Sequence, residues 1–202
     1  RKKFFPKNRD DCREKLRIPK DIKLFGYFGR IIEEKGLDKL ALAVNKINNC
    51  HLMFVGDGDY KNKLVKIIDF FDIKNRVFFY KSVNHSDLVD FYNSLDVFVL
   101  PSLAELEGMV VLEAMACGKP LIIADSKESA SVYFINGNGF LFKPENPEDL
   151  AEKMLRLADD KNLQEKMGEV SAKKSLDYDI NQSITKLETL YYRLLNNSRQ
   201  KS

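Results

Sequence analysis

Val97-Phe98-Val99-Leu100 are four apolar residues in a row, followed at once by Pro101-Ser102 and, a few residues on, by a second apolar run from Val110 to Cys117. Successive side chains of a strand point to opposite faces, so a run without polar alternation predicts a strand covered on both sides. Such a strand leading into a helix is part of a βα unit, and doubly covered strands occur in parallel sheets flanked by helices.

The same pattern recurs on either side of it. Upstream, Leu24 to Phe28 precedes Leu37, Leu40, Ala41, Val44 and Ile47, which share one helical face. His51 to Val55 precedes Leu64, Ile67, Ile68 and Phe71, and Val77 to Tyr80 precedes Leu88, Phe91 and Tyr92. Downstream, Leu121 to Ala124 leads into a short turn near Ser129 to Phe134, and Gly139 to Phe142 follows the turn cluster Asn136-Gly137-Asn138-Gly139. After Pro144 the spacing is helical only. Pro147 to Leu157 has Asn146 as its N-cap and Pro147 at its first position; Leu163 to Ser175 and Ile180 to Leu195 follow, and a frayed tail is expected after Asn196. The predicted class is α/β: a doubly wound, Rossmann-like parallel sheet of about six strands with C-terminal helices. The main domain is expected over 1–177 and a C-terminal helix with its tail over 178–202.

Bulk properties narrow the function classes. A chain of 202 residues is long enough to bury roughly 70% of its unfolded surface in one core. Its 33 basic and 30 acidic residues are interleaved, so the net charge of +3 forms no basic stripe and nucleic acid is not an expected partner. Cys12, Cys50 and Cys117 are odd in number and widely spaced, which predicts reduced core thiols and a cytoplasmic location. No apolar run approaches the ~18 residues of a membrane span. The start, Arg1-Lys2-Lys3-Phe4-Phe5-Pro6, has no signal-peptide core and no Met, and leads us to expect a piece of a longer protein.

Ligands of open parallel sheets bind beyond the carboxyl ends of the strands, so the residues just after each strand carry the chemistry. After the first strand, Gly29-Arg30-Ile31-Ile32-Glu33-Glu34-Lys35-Gly36 places two cations in one glycine-bounded loop, suited to an anion such as phosphate; solvated surface charges are the alternative. Val55-Gly56-Asp57-Gly58-Asp59-Tyr60 lacks the third glycine of a dinucleotide fingerprint and a second carboxylate cluster for a metal, and is read as a tight-approach turn. After the fourth strand, Gly108 opens a helix whose first N–H groups, at Met109 and Val110, could hold an anion. Glu113 lies about one and a half turns inside that helix, among apolar neighbours, where a carboxylate needs a partner such as a ribose hydroxyl. Glu105 sits in the loop before it; helix capping and salt bridging are the alternative roles for this pair. His51 and His85 are read as surface or capping residues.

Glu105 and Glu113 are separated by seven residues, and with this spacing the chain resembles the bacterial group-1 retaining glycosyltransferases of GT-B fold. Gly29-Arg30 with Lys35-Gly36 is similar to that family's first loop, Val55-Gly56-Asp57-Gly58 to its second, and Asp96 to Ser102 to the strand before the glutamates. Glu113 to Gly118 and Asn138 to Leu141 agree with later elements, so the resemblance covers roughly Phe4 to Leu157. It implies a nucleotide-sugar donor, a UDP-sugar before a GDP-sugar, with Arg30 and Lys35 on the diphosphate and Glu113 on the ribose. Gly29, Glu105, Glu107 and the backbone of Gly108, Met109 and Val110 would meet the sugar and its phosphate. Phe79 to Val83 would lie near the base, with Val83 as the contact. Arg30, Lys35 and Glu105 are the implied catalytic groups, and no metal or other cofactor is implied.

Two departures from the family pattern stand out. Leu106-Glu107-Gly108 follows the first glutamate where Gly-Phe-Gly or Gly-Phe-Pro is common, and Lys81 replaces a usual glycine. The Glu105 to Glu113 run most resembles lipid glucosyltransferases acting on diacylglycerol, which implies a membrane-surface acceptor and a peripheral place at the inner face of the cell membrane. Transfer to a polysaccharide or lipopolysaccharide is the other acceptor class. The resemblance also implies a missing N-terminal acceptor-binding domain, so the isolated chain is expected to transfer no sugar. Ile184, Leu187, Leu190, Tyr191, Leu194 and Leu195 form an apolar stripe that either crosses to that domain or packs on its own. Alternative functions are a non-catalytic nucleotide-binding or interaction module on the same fold, and a nucleotide-sugar epimerase.

Overall fold

The structure, a computed structural model, describes residues 3–81 and 83–199, with side chains described as far as Leu194. Six strands form the main sheet: β1 (Lys23–Phe28), β2 (Cys50–Val55), β3 (Val77–Tyr80), β4 (Val97–Leu100), β6 (Leu121–Ala124) and β8 (Gly139–Phe142). Two short strands, β5 (Ala104–Glu105) and β7 (Glu128–Ser129), pair with each other outside it. The helices are α1 (Arg9–Leu16), α2 (Leu37–Asn45), α3 (Lys61–Phe70), α4 (Leu88–Ser94), α5 (Met109–Ala116), α6 (Pro147–Asp159), α7 (Lys161–Lys174) and α8 (Ile180–Arg199).

All pairings in the main sheet are parallel, in the spatial order β3-β2-β1-β4-β6-β8. The chain therefore winds outward from β1 to one edge, returns to lay β4 against β1, and winds out to the other edge. β1 is shared by both halves: Phe25 pairs with Leu52 on one side and with Val97 on the other. All four residues of β4 are at most 1% exposed, as expected for a strand covered on both faces. The doubly wound class and the six strands agree with the apolar runs to within a residue at each end.

The amino ends of the strands are fastened by buried polar groups. Asp96 accepts hydrogen bonds from Arg9 Nη1 at 2.7 Å, Arg13 Nη2 at 2.9 Å and the Leu24 amide at 2.7 Å. Arg13, wholly buried, also donates to the carbonyls of Ser94 and Ile22. Burial holds the Arg13 pKa below its ordinary value, opposed by Asp96. Lys119 donates to the carbonyls of Asn93 and Leu95 at 2.9 and 3.0 Å, and burial pulls its pKa down to about 8. Such contacts offset the desolvation of each charge only because nearly every donor finds an acceptor. Cys12, Cys50 and Cys117 are all buried and unbridged.

The C-terminal half differs from expectation in two places. α6 begins as predicted, with Asn146 Oδ1 accepting from the Asp149 amide at 2.9 Å. α7 runs from Lys161 to Lys174 rather than from Leu163 to Ser175, capped by Asp160 and ended by a 3-10 turn at Ser175–Tyr178. α8 continues past Asn196 to Arg199, because Asn and Ser are mediocre helix formers but no Gly or Pro breaks the run. Every described side chain from Ile180 to Leu194 is exposed, so this part of the stripe does not pack on its own domain. The side chain of Leu195 and residues 200–202 lie outside the described residues.

Candidate functional site at the strand carboxyl ends

The strand order reverses between β1 and β4, and the loops that leave these neighbours diverge there, opening a crevice at their carboxyl ends. One wall is the loop after β1. The Gly29 amide donates to Val55 O at 3.0 Å, and the Ile31 amide to Asp57 O at 2.8 Å. The Tyr27 hydroxyl donates to Arg30 O at 2.8 Å. Burial, and then the negative charge of Glu105, raise the Tyr27 pKa, so this hydroxyl keeps its proton. A 3-10 turn, Glu33–Lys35, brings Lys35 back toward the crevice.

The loop after β2 is the buttress of that wall. Gly56 has φ +146°, and a Cβ there would stand 1.9 Å from Gly29 O. The turn is thus a place of close backbone approach. Asp57 is paired with Lys81 at 3.1 Å, which pushes its pKa down, and no cluster of metal-ligating residues occurs among the described residues.

The opposite wall follows β4. Ala104 and Glu105 form β5, held by pairing with Glu128 and Ser129 of β7. Gly108 then takes the left-handed conformation, φ +56°, and opens α5 with no side-chain cap on the first amides. A Cβ at Gly108 would lie 2.4 Å from Ser131 Oγ, so no other residue lets the helix start so close to that buried hydroxyl.

Between the walls lies a cavity of about 380 Å³ lined by Gly29, Arg30 and Lys35 on one side and by Glu105, Glu107, Gly108, Met109 and Val110 on the other. Tyr27, Phe28, Leu100 and Leu106 complete it; Leu106 lies inside the Glu105 to Glu113 run, whereas sequence reasoning misses the other three as site residues, although each adjoins a segment that it singles out. Lys35 Nζ donates to Glu105 Oε2 at 2.7 Å and to Ala104 O at 3.3 Å. Arg30 is exposed and makes no salt bridge among the described residues. The cavity therefore holds one neutralised cation, one available cation and an uncapped helix start.

Two expected residues lie elsewhere. Glu113 does not line the cavity; it is half-buried and accepts a 2.7 Å hydrogen bond from the Tyr92 hydroxyl. The Tyr92 ring packs against Phe28 at 4.2 Å between centroids, so Glu113 stands one layer behind the cavity wall. Burial raises the Glu113 pKa, and the Tyr92 hydrogen bond opposes that rise. Val83 is half-buried against the core after β3 and does not line the cavity; its neighbour Ser82 lies outside the described residues.

A larger cavity, about 550 Å³, opens at the amino ends of the strands around Arg9, Asp96 and Lys119. These three groups are already consumed by one another and by backbone carbonyls, which leaves little for a ligand.

Comparison with known proteins shows the family and the fold. Residues 8–174 match the family described as "Glycosyl transferases group 1". The chain is 32% identical to the sulfoquinovosyl transferase SQD2 of Arabidopsis thaliana over 169 residues, which is 82% of this chain and 32% of that protein. Sucrose-phosphate synthase from Thermosynechococcus elongatus superposes with a TM-score of 0.86 at 26% identity, covering 98% of this chain and 51% of that one. HepE from Anabaena, solved in complex with UDP-glucose, gives a TM-score of 0.81 at 24% identity over 92% of this chain and 54% of that one. The chain thus spans between about a third and a half of the curated relatives it matches. By the family match and the shape of its sheet, the chain belongs to the group 1 glycosyltransferases and has the architecture of one half of their GT-B fold.

Proposed function

We propose that this chain is the donor-binding half of a retaining glycosyltransferase, which moves a hexosyl unit from a nucleotide sugar to an acceptor hydroxyl on a lipid or glycan. The observation that carries this is the convergence of Arg30, Lys35, Glu105 and the Gly108 opening of α5 on one cavity at the strand reversal. Departure of a nucleoside diphosphate develops negative charge. Two cationic side chains and an uncapped helix start, fixed before the ligand arrives, are suited to stabilise it without a metal. A UDP-sugar is the favoured donor, supported by the UDP-glucose complex of HepE.

Glu113 takes the ribose hydroxyls in this reading, at the far side of the Tyr92–Phe28 pair, and Val83 borders the base. Glu107, exposed at the rim, faces the sugar. The acceptor and the rest of the catalytic cleft come from a second domain, against which the exposed stripe of α8 would lie. No helix among the described residues is long and apolar enough to cross a membrane. A cytoplasmic enzyme that meets a membrane-surface acceptor peripherally fits that observation.

Calorimetric titration of the chain with UDP, UDP-glucose and GDP-mannose tests the reading. Binding of the two uridine compounds, weakened by Arg30→Ala, is expected, together with no sugar transfer by the chain alone. Absence of binding to any sugar nucleotide would instead favour an interaction module on the same fold.

A further inference from the structure

Lys35 and Arg30 share a loop and a cavity, yet they are in different states. Lys35 Nζ sits 2.7 Å from Glu105 Oε2, with the two side chains only 12% and 21% exposed, whereas Arg30 is exposed and without a salt bridge among the described residues. An anion entering the cavity therefore meets one cation that already has a carboxylate on it. Charge-assisted hydrogen bonds are stronger than neutral ones, so an incoming anion has to compete with Glu105 for this donor.

We propose that Glu105 is an internal stand-in for phosphate: its carboxylate holds Lys35 in the empty site, and donor binding exchanges it on Lys35 for a diphosphate oxygen. The inference rests on the cavity being a diphosphate site, and it adds an order of events to that reading. Glu105 becomes free to turn toward the sugar only when a phosphate has replaced it, so the carboxylate is delivered in step with occupancy.

The surroundings allow this exchange with side-chain rotation alone. The backbone of Glu105 is held by the β5–β7 pairing, with Ala104 opposite Glu128 and Glu105 opposite Ser129. Just before it, the Leu103 amide donates to Glu34 O at 3.1 Å, and Ser126 Oγ donates to Leu103 O. Both ends of the ion pair thus hang from loops stitched to each other, while the long side chains of Lys35 and Glu105 retain rotatable bonds. Glu34, next to Lys35 in the same loop, is exposed, does not line the cavity and forms no salt bridge among the described residues, which makes it an internal control for simple charge.

The test is UDP affinity measured by calorimetry for the wild-type chain, Glu105→Gln, Glu105→Asp, Glu34→Gln, Lys35→Met and the double variant Glu105→Gln/Lys35→Met. Release of Lys35 in Glu105→Gln should tighten UDP binding about fivefold, and Glu105→Asp, too short to hold the lysine well, should do so in part. Glu34→Gln should change affinity less than about twofold. Lys35→Met should weaken binding more in the Glu105→Gln background than in the wild type, a non-additivity that a merely structural role for Glu105 would not produce. If Glu105→Gln binds UDP no more tightly than wild type, while Lys35→Met weakens both backgrounds equally, Lys35 reaches phosphate without leaving Glu105. The exchange is then wrong and the donor site stands. An equal gain from Glu34→Gln would likewise overturn it in favour of bulk charge, and no UDP binding by any of the chains would remove the donor-site reading and the exchange together.

Discussion

The Tyr92 hydroxyl donates a 2.7 Å hydrogen bond to Glu113 Oε2, joining α4 to α5 behind the cavity. Burial pushes the Glu113 pKa above its ordinary range, and Tyr92 limits the rise. A carboxyl group whose pKa is raised on folding favours the folded state at low pH, and that contribution is lost as pH rises through the folded value. Glu113→Gln should therefore gain stability relative to wild type as pH climbs from about 4 toward neutrality. Tyr92→Phe should lose stability over the same interval. Urea midpoints measured across that range check both, and parallel curves would mean that Glu113 is not held in this state.

If Glu113 meets the ribose, Glu113→Ala should weaken UDP binding by about tenfold, the worth of one charged hydrogen bond. Glu105→Ala should not weaken it, because ribose contacts persist in a nucleotide without its sugar. Titration of both variants with UDP decides this; equal losses would reassign Glu113 to a purely structural role.

Gly56 cannot carry a side chain without breaking the wall of the cavity. Its φ is +146°, and an added Cβ would come within 1.9 Å of Gly29 O, an obstacle that is backbone and so leaves no room for adjustment. Gly56→Ala should cost about 3 kcal/mol and should lower UDP affinity as well, by moving Arg30. A urea midpoint close to wild type would mean that the two loops are free to separate.

Asp96 accepts from Arg9, Arg13 and the Leu24 amide, so Asp96→Asn removes a charge on which two cations depend. The wholly buried Arg13 would be left without its counter-ion. The expected loss is about 3–5 kcal/mol, the usual cost of breaking one side of a buried pair. A loss below about 1 kcal/mol would show that water reaches Arg13.

Among the described residues, the main contact of α8 is with the 3-10 turn at Ser175–Tyr178, and its side chains from Ile180 to Leu194 are exposed. Deleting residues 180–202 should change the unfolding free energy by less than about 0.5 kcal/mol while reducing helical circular dichroism. A larger loss would place the stripe of Ile184, Leu187 and Tyr191 against this domain.

Most of the sheet could be read from the chain because doubly buried strands leave unbroken apolar runs, and four of six match to the residue: Val77–Tyr80, Val97–Leu100, Leu121–Ala124 and Gly139–Phe142. α1 is hard to see in the sequence because its anchors are charges rather than an apolar stripe. Its signal is present all the same, in Asn8, which caps the amides of Asp10 and Asp11 at 2.9 and 3.1 Å. β5 and β7 are too short to leave any periodicity.

The cavity is legible for a topological reason: Gly29 to Lys35 and Glu105 to Val110 each follow a strand. Its inner pairings are not. Lys35 with Glu105 and Tyr92 with Glu113 join residues on separate elements, and only the packing of β1 beside β4 determines which side chains meet. Phe28 and Leu100 read as strand ends and no more, because a residue at the last position of a strand serves the core and the crevice at once.

Because the crevice lies between β1 and β4, neither wall exists as a wall unless these two strands are paired. Any ligand held there recognises the assembled sheet and not its separate halves. It should act as a brake on unfolding, lengthening the life of the finished molecule, and do little to hasten the steps by which the chain first collapses.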